Sequence, residues 1–327
     1  MTAVIELRVT IAVLSYRRPD ELTQCLPLVA AHAAANVLAV PHRTLVPSIL
    51  VVDNDPDGGA RAVVESARLD QRVGLHYVVE RTPGIAAARN RALTEAGDAE
   101  VLVFLDDDER PTDSWLVPLI RTWEQTGAAA VAGRVLSVFD AELDPWVRAG
   151  EFFRRRRLPT GTEISVGAAG NLLLDLLQVH RLAVRFDERI ALGAGEDSLF
   201  TAQLRRRGGM LVWCDESVAT DHVPAERMTR QWVLERARSH GNTETVVELL
   251  LAQRALERLG LRVRAANRGA VRVVGGVARF TLGLATRSLW HQSRGLRTAY
   301  RGWGIAAGAL GVAIQEYNRE SATVHGG

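Results

Sequence analysis

The chain predicts an α/β fold, a Rossmann-like and mostly parallel sheet with helices on both faces, extended at its carboxyl end by further helices. Three observations carry this. Apolar strand-like runs alternate with helical segments through the first hundred residues, on short connections. Acidic residues collect where those runs end. From about Arg227 onward, helical periodicity replaces the alternation almost to the terminus.

The elements follow in order. Val9–Ser15 is a β-branched run that ends in a turn at Arg17-Arg18-Pro19, after which Asp20 is placed to cap a Leu- and Ala-rich helix reaching about Ala35. Ser48–Asp53 reads as a second buried strand, the turn Asn54–Gly59 follows, and a helix runs from about Ala60 to Leu69. Val73–Val79 is a third strand, Thr82-Pro83-Gly84 opens the helix Ile85–Ala96, and Val101–Leu105 is a fourth strand. Such a series implies a parallel sheet covered on both faces. The rhythm then loosens. A helix is expected over Ser114–Thr126, a strand over Ala129–Leu136, and a helix or ordered loop over Val147–Arg157. A glycine-spaced segment lies in Ile164–Leu174, a helix over Ser198–Arg207 closes at Gly208-Gly209, and Met210–Asp215 is the last strand.

Composition narrows the class. The 327 residues suit one large domain or two modest ones, and 47% hydrophobic with 24% charged residues excludes wholesale disorder. All 40 basic residues are arginine, which fits codon bias and carries no functional reading. Cys25 and Cys214 stand alone without a Cys/His cluster, which excludes a zinc site of the usual kind and fits a reducing cytosol. The start, Met1 to Tyr16, lacks signal-peptide organisation and reads as a first strand.

The chemistry concentrates at strand ends. Val101–Leu105 runs into Asp106, Asp107, Asp108 and Glu109, four adjacent carboxylates that repel one another. A divalent cation carrying an anionic substrate would offset them, since hard oxygen ligands suit Mg²⁺ or Mn²⁺. The carboxyl ends of parallel strands are also where ligands bind in such sheets. The same edge collects Arg17, Asp53, Asp55, Arg89 and Asn90. Asp53 would accept hydrogen bonds from a base or ribose hydroxyl, or equally cap the following turn. Gly84 permits close backbone approach, and the helix start beyond it favours an anion, with Arg89 directed toward the nucleotide or simply solvated. Glu196 and Asp197 open a helix, as acids do for capping alone; the functional alternative makes Asp197 a general base. His222 would complete a metal site begun by Asp108, or serve structure only.

Taken together these residues resemble an inverting family-2 glycosyltransferase of the GT-A fold, over Val9 to about Arg230. The elements occur in the family's order: VTIAVLSYRRP, the VVDND turn, PGIAAARN, FLDDDE as counterpart of the DXD motif, and GED ahead of a helix. The acidic variant with Pro111 and Trp115 is most similar to bacterial exopolysaccharide and cell-surface glycan transferases. The resemblance implies a nucleotide-sugar donor, a lipid-linked or glycan acceptor, and Mn²⁺ or Mg²⁺. It gives Asp197 as catalytic base, Arg17, Asp53, Arg89, Asp106 and Asp107 to the donor nucleotide, and Asp108 with His222 to the metal. Glu196, Trp146 and Asn171 fall at the acceptor side or behind the first layer. The QXXRW motif of processive members is absent, which implies addition of one sugar. A nucleotidyltransferase is the alternative on a related sheet, though its glycine-rich loop after the first strand is missing. A non-catalytic scaffold retaining the fold is the other.

The expected division is a catalytic domain over residues 1–226, with a nucleotide-binding half at 1–110 and an acceptor half at 111–226, then a helical, arginine-rich region at 227–327. From Arg262 to Gln315 there are nine arginines and no acid, so a chain of net charge +2 leaves −7 on the remainder. Arginines 272, 279, 287, 294 and 301 would fall within an ~80° sector of one unbroken helix. Gly275-Gly276, Gly283 and Gly295 instead predict two or three amphipathic pieces. Arginines beside Trp290, Tyr300 and Trp303 suit contact with an anionic membrane surface, placing the protein peripherally at the inner face of the cell membrane. Packing of the tail on the acidic body is the other reading. Nucleic acid is not expected, because no recognised motif accompanies the charge.

Overall fold

Apolar runs become strands where both faces can be covered, and the alanine- and leucine-rich segments between them become the covering helices. The computed structural model describes residues 5–38, 40, 42–190, 195–312 and 314. Eight strands form one sheet: β1 (Ile5–Ser15), β2 (Arg43–Asp53), β3 (Gly74–Val79), β4 (Val101–Asp106), β5 (Glu109–Pro111), β6 (Ala130–Phe139), β7 (Asn171–Asp175) and β8 (Leu211–Val223). Their order is β3-β2-β1-β4-β7-β6-β8-β5. The half β3-β2-β1-β4 is parallel, and the pairs β4·β7, β6·β7 and β5·β8 are antiparallel.

The central strand β4 shows why the sheet is doubly covered. All five residues from Val101 to Leu105 are fully buried. Val101, Val103 and Leu105 join a core with Leu22, Cys25 and Val29 of α1 (Pro19–Ala35) and Leu119 and Ile120 of α4 (Leu116–Thr126). Leu102 and Phe104 point the other way, toward Ala88 and Ala92 of α3 (Ile85–Glu95), Val179 of α6 (Leu176–Arg181) and Phe200 of α7 (Glu196–Arg206). A short α2 (Arg61–Ser66) completes the first face with Val64.

Several elements differ from expectation. Asp20 does not cap α1: Pro19 is the first helical residue, Arg18 precedes it, and Asp20 sits in the first turn, where the dipole favours it. β5 and β7 are too short for periodicity to reveal, and the glycine-spaced segment holds β7. The last strand is about twice the expected length and runs on from Asp215 through Asp221 to Val223. The segment Val147–Arg157 contributes only the end of α5 (Pro145–Gly150), and its four consecutive arginines, Arg154 to Arg157, have no regular structure. Residues 1–4 of the expected first strand, and 313 and 315–327 of the tail, lie outside the described residues.

Contacts divide the chain into residues 1–138, 155–191 and 196–222 on one hand, and 139–154, 192–195 and 223–327 on the other. The segment 139–154, expected in the acceptor half, therefore belongs with the carboxyl-terminal helices. That second unit is built on α8 (Arg230–Leu251), α9 (Ala255–Ala285) and α10 (Leu289–Ala309). Glycines do not break α9: Gly269, Gly276 and Gly283 are the residues that let it approach α10. A Cβ on Gly269 would stand 2.7 Å from the Gly302 carbonyl oxygen, and one on Gly276 would stand 2.5 Å from the Ala299 nitrogen. Gly283 meets α10 at Gln292 in the same way. The chain turns at Thr286–Ser288, so Arg272 and Arg279 lie on one helix and Arg294 and Arg301 on the next. The single arginine sector does not form.

Candidate active site

Strand order reverses at β1, with β2 on one side and β4 on the other, and ligands bind at such switch points beyond the carboxyl ends. In register, Ser15 stands beside Asp53 and Leu14 beside Asp106. The acidic turn that leaves β4 is fixed from below. Arg110 Nη1 donates to the Asp107 and Glu109 carbonyls at 2.8 and 3.0 Å, and its Nη2 donates to Glu21 on α1 at 2.8 Å. Arg18 closes the turn from the first loop, 3.3 Å from Asp107 and 3.1 Å from Asp108. The antiparallel pair β5·β8 brings Asp221 opposite Glu109. His222, the next residue of β8, is exposed.

A second layer faces β4. Arg89 on α3 is buried, with 4% of its side chain exposed, and donates through Nη1 to Glu196 Oε1 while Nη2 lies 3.8 Å from Asp106 Oδ1. Its guanidinium stands 6.0 Å from the Phe104 ring centre and 5.7 Å from that of Phe186. Glu196 is thereby pinned at the first turn of α7, and the next residue, Asp197, is only partly buried. Asp197 accepts from the Ala169 N–H at 3.4 Å and the Ser198 N–H at 2.5 Å. The loop bearing Ala169 lies close because Gly170 has no side chain. A Cβ there would collide with Glu109 Oε1 and lie 3.2 Å from Asp106 Oδ2.

Other expected residues are placed differently. Asp53 is fully buried, and its carboxylate accepts from the Asp55 and Ala60 N–H groups, each at 2.9 Å, and from the Tyr77 hydroxyl at 2.8 Å. It caps its turn, the alternative the sequence also offered; Asp55, 3.6 Å from Arg17 Nε, is the acid that pairs at this strand end. Arg89 is neither solvated nor extended toward a ligand; it is a buried tie between β4 and α7. Asp107 is likewise buried and paired with Arg18. Asn171 is 1% exposed: its Oδ1 accepts from Trp115 Nε1 at 3.1 Å, and its Nδ2 donates to the Arg134 carbonyl at 3.0 Å. It braces β7. Trp146 falls in the second unit, 3% exposed and stacked on Phe152 at 5.6 Å, which makes it a packing residue. Sequence reading passed over Arg18 and Asp221. Arg17 takes a left-handed conformation (φ 54°), and no periodicity reveals which of two neighbouring arginines such a turn aims inward.

The carboxylates raise one another's proton affinity. Burial pushes Asp107 up to about 7, against the pull of Arg18 and with help from Asp108 and Asp106. Burial also raises Asp106; Arg89 pulls it down again, and Asp108, Asp197 and Asp221 push it up. Asp106 keeps 38% of its side chain exposed, so solvent screens part of this. Glu109 is raised by burial and by Asp106 and Asp108, and Glu196 by burial despite Arg89. A carboxyl that holds its proton more tightly folded than unfolded favours the fold when protonated. Its contribution is complete below the unfolded value near ~4 and drains as pH rises through the folded value. Asp70, Asp144 and Asp187 are lowered by arginine and backbone hydrogen bonds and act only below that window. The metal-free protein should therefore lose thermal stability between pH 5 and pH 8, and Asp107→Asn should flatten that slope. Calorimetry in chelator at three pH values checks it, and an unchanged slope in the variant would remove Asp107 as a source.

The donor set is compatible with a hard divalent cation. Among the described residues no three His, Cys, Asp or Glu side chains surround one ion position. Mg²⁺ and Mn²⁺ sites of this kind commonly take one or two carboxylates and complete their shell with substrate phosphate and water. Crowded carboxylates with elevated proton affinity suit that partial site.

Comparison with known proteins places this geometry in context. The family model for glycosyl transferase family 2 matches residues 10–175. The succinoglycan biosynthesis protein ExoM of Rhizobium meliloti (strain 1021) is 31% identical over 318 residues, covering 97% of this chain and 98% of its own. Residues 1–349 of S. aureus TarS, solved with UDP, align with a TM-score of 0.50 at 13% identity over 94% of this chain and 92% of that one. GalNAc-T7, solved with UDP, GalNAc and Mn²⁺, gives a TM-score of 0.51 at 13% identity over 74% of this chain and 50% of its own. At such identity the structural likeness is one of fold.

Proposed function

The chain belongs to glycosyl transferase family 2, and from that premise we propose that it is a metal-dependent, inverting enzyme moving one sugar from a nucleotide-sugar donor to a lipid-linked or glycan acceptor in cell-surface polysaccharide or glycolipid synthesis. The observation that carries the reading is the acidic turn at the switch point of the sheet, with Asp197 held beside it through Ala169. Asp108 would hold Mn²⁺ or Mg²⁺, with Asp106 and His222 at its margin. Such an ion would neutralise charge that grows on the departing diphosphate. Arg17 and Asp55 stand at the β1–β2 end for the nucleoside. Asp197 takes the proton of the acceptor hydroxyl as that oxygen attacks the anomeric carbon from the face opposite the leaving group, so one displacement inverts it. Asp197 is only partly buried, which leaves it reachable by that hydroxyl, while Arg89 and Glu196 set its place. Synthesis of an envelope glycan puts the acceptor at the inner face of the membrane, where the arginine-rich unit would meet anionic lipid.

Uridine is the first base to test, since the TarS and GalNAc-T7 structures hold UDP. Thermal stabilisation by UDP, GDP, dTDP and CMP, each with and without Mn²⁺, should show a metal-dependent shift for one of them. Ligand at about a hundredfold excess over Kd adds about 2.7 kcal/mol to folded-state stability. Turnover should release nucleoside diphosphate; pyrophosphate would favour a nucleotidyltransferase. No shift and no turnover with any acceptor would favour the scaffold.

A further inference from the structure

We propose that the outer face of α9 is a lipid-docking surface that lies in the headgroup plane of an anionic membrane. The inner face of this helix is occupied: Gly269, Gly276 and Gly283 are buried against α10. The outer face is open. Val271 is 72% exposed, Val274 69%, Val277 47%, Leu282 49% and Leu284 53%. Between Asn267 and Ala285 every exposed residue is uncharged. At a rise of ~1.5 Å per residue that strip is roughly 27 Å long. No helix among the described residues is long and apolar enough to cross a membrane, so the strip would lie along a surface.

Charge selects the occupant. Arg268 and Arg301 pair with Glu244, and Arg294 with Glu151. Arg258, Arg262, Arg264, Arg272, Arg279 and Arg287 have no carboxylate partner among the described residues. All six lie on α9 or in the turn after it, and no acid occurs between Glu257 and Glu316. Arg279 stands over the Trp290 ring at 4.2 Å, and Trp290 is 46% exposed at the end of the strip, an aromatic and cation pair suited to an interface. A second copy of the chain would set like charges against each other. Nucleic acid would satisfy the arginines and strand the valines. Anionic lipid satisfies both, through headgroups at the flanks and acyl chains under the strip.

This deepens the membrane part of the proposed function and rests on that reading only for its purpose. Its test uses no sugar donor, so either can fail alone. The full chain is sedimented with vesicles of phosphatidylcholine, or of phosphatidylcholine with about one-third phosphatidylglycerol. Binding should require the anionic lipid and weaken as salt rises. V271D/V274D changes two exposed positions, so the fold should persist by circular dichroism while vesicle binding falls by more than about tenfold. R272Q/R287Q should weaken binding by a similar factor without altering the strip. Absence of binding to anionic vesicles at low salt would overturn the proposal, as would unchanged binding by the aspartate pair. Conversion of a wild-type dimer to monomer by V271D/V274D, with no vesicle binding, would assign the face to a second copy instead.

Discussion

Asp197→Asn should cut sugar transfer by about 10³-fold while leaving the nucleotide- and metal-dependent thermal shift intact. Asparagine keeps one oxygen, which can accept from the Ser198 N–H, and gives up only the longer bond that the Ala169 N–H makes to the other carboxylate oxygen; the side chain is only partly buried, so water can satisfy that N–H and α7 keeps its first turn. What it loses is the capacity to take a proton. Asp108→Ala should behave differently: it removes the acid assigned to the cation, so transfer and the metal-dependent part of the thermal shift disappear together. The contrast separates the two assignments. Measured as release of nucleoside diphosphate with acceptor present, near-normal turnover in Asp197→Asn would take that residue out of the chemistry. Loss of the thermal shift in the same variant would make it a donor-binding residue.

What sequence made legible was place rather than direction. An apolar run such as Val101–Leu105 must be buried on both faces, so the strand, its parallel neighbours and the acids at its end follow from pattern alone. Whether an acid at a strand end faces the ligand or its own turn does not. Asp53 and Asp106 end the parallel strands on either side of β1, yet Asp53 is enclosed by two backbone N–H groups and Tyr77, whereas Asp106 keeps an open edge. The Tyr77 hydroxyl that decides this comes from β3, 24 residues away. Asn171 is similar. The resemblance put it at the acceptor side, and the partners that engage it are distant in sequence: Trp115, Arg134 and Ser217. The place where the tail divides escaped for a related reason. Glycine weakens a lone helix, but in α9 its missing side chain is what permits close packing on α10, a gain invisible until the second helix is in place.

Arg89→Met should be the most destabilising single change at the site. The guanidinium is the cation that faces buried Glu196, and it lies between the Phe104 and Phe186 rings. Methionine fills much of the same volume, so the loss is one of charge and not of packing. An unpaired buried carboxylate remains, and breaking such a pair from one side costs about 3–5 kcal/mol. Glu196 would then take up a proton more readily, and α7 would lose the contact that fixes Asp197, so transfer should fall as well. Removing both charges is the discriminating experiment. If the pair serves geometry more than stability, Arg89→Met/Glu196→Met should recover most of the lost stability, because the apolar surroundings accept two neutral chains, yet it should not recover transfer. Urea unfolding gives the coupling and the rate assay gives the rest. A double variant no more stable than Arg89→Met would show that the rings need the guanidinium itself, and one with restored transfer would show that Asp197 is positioned without it.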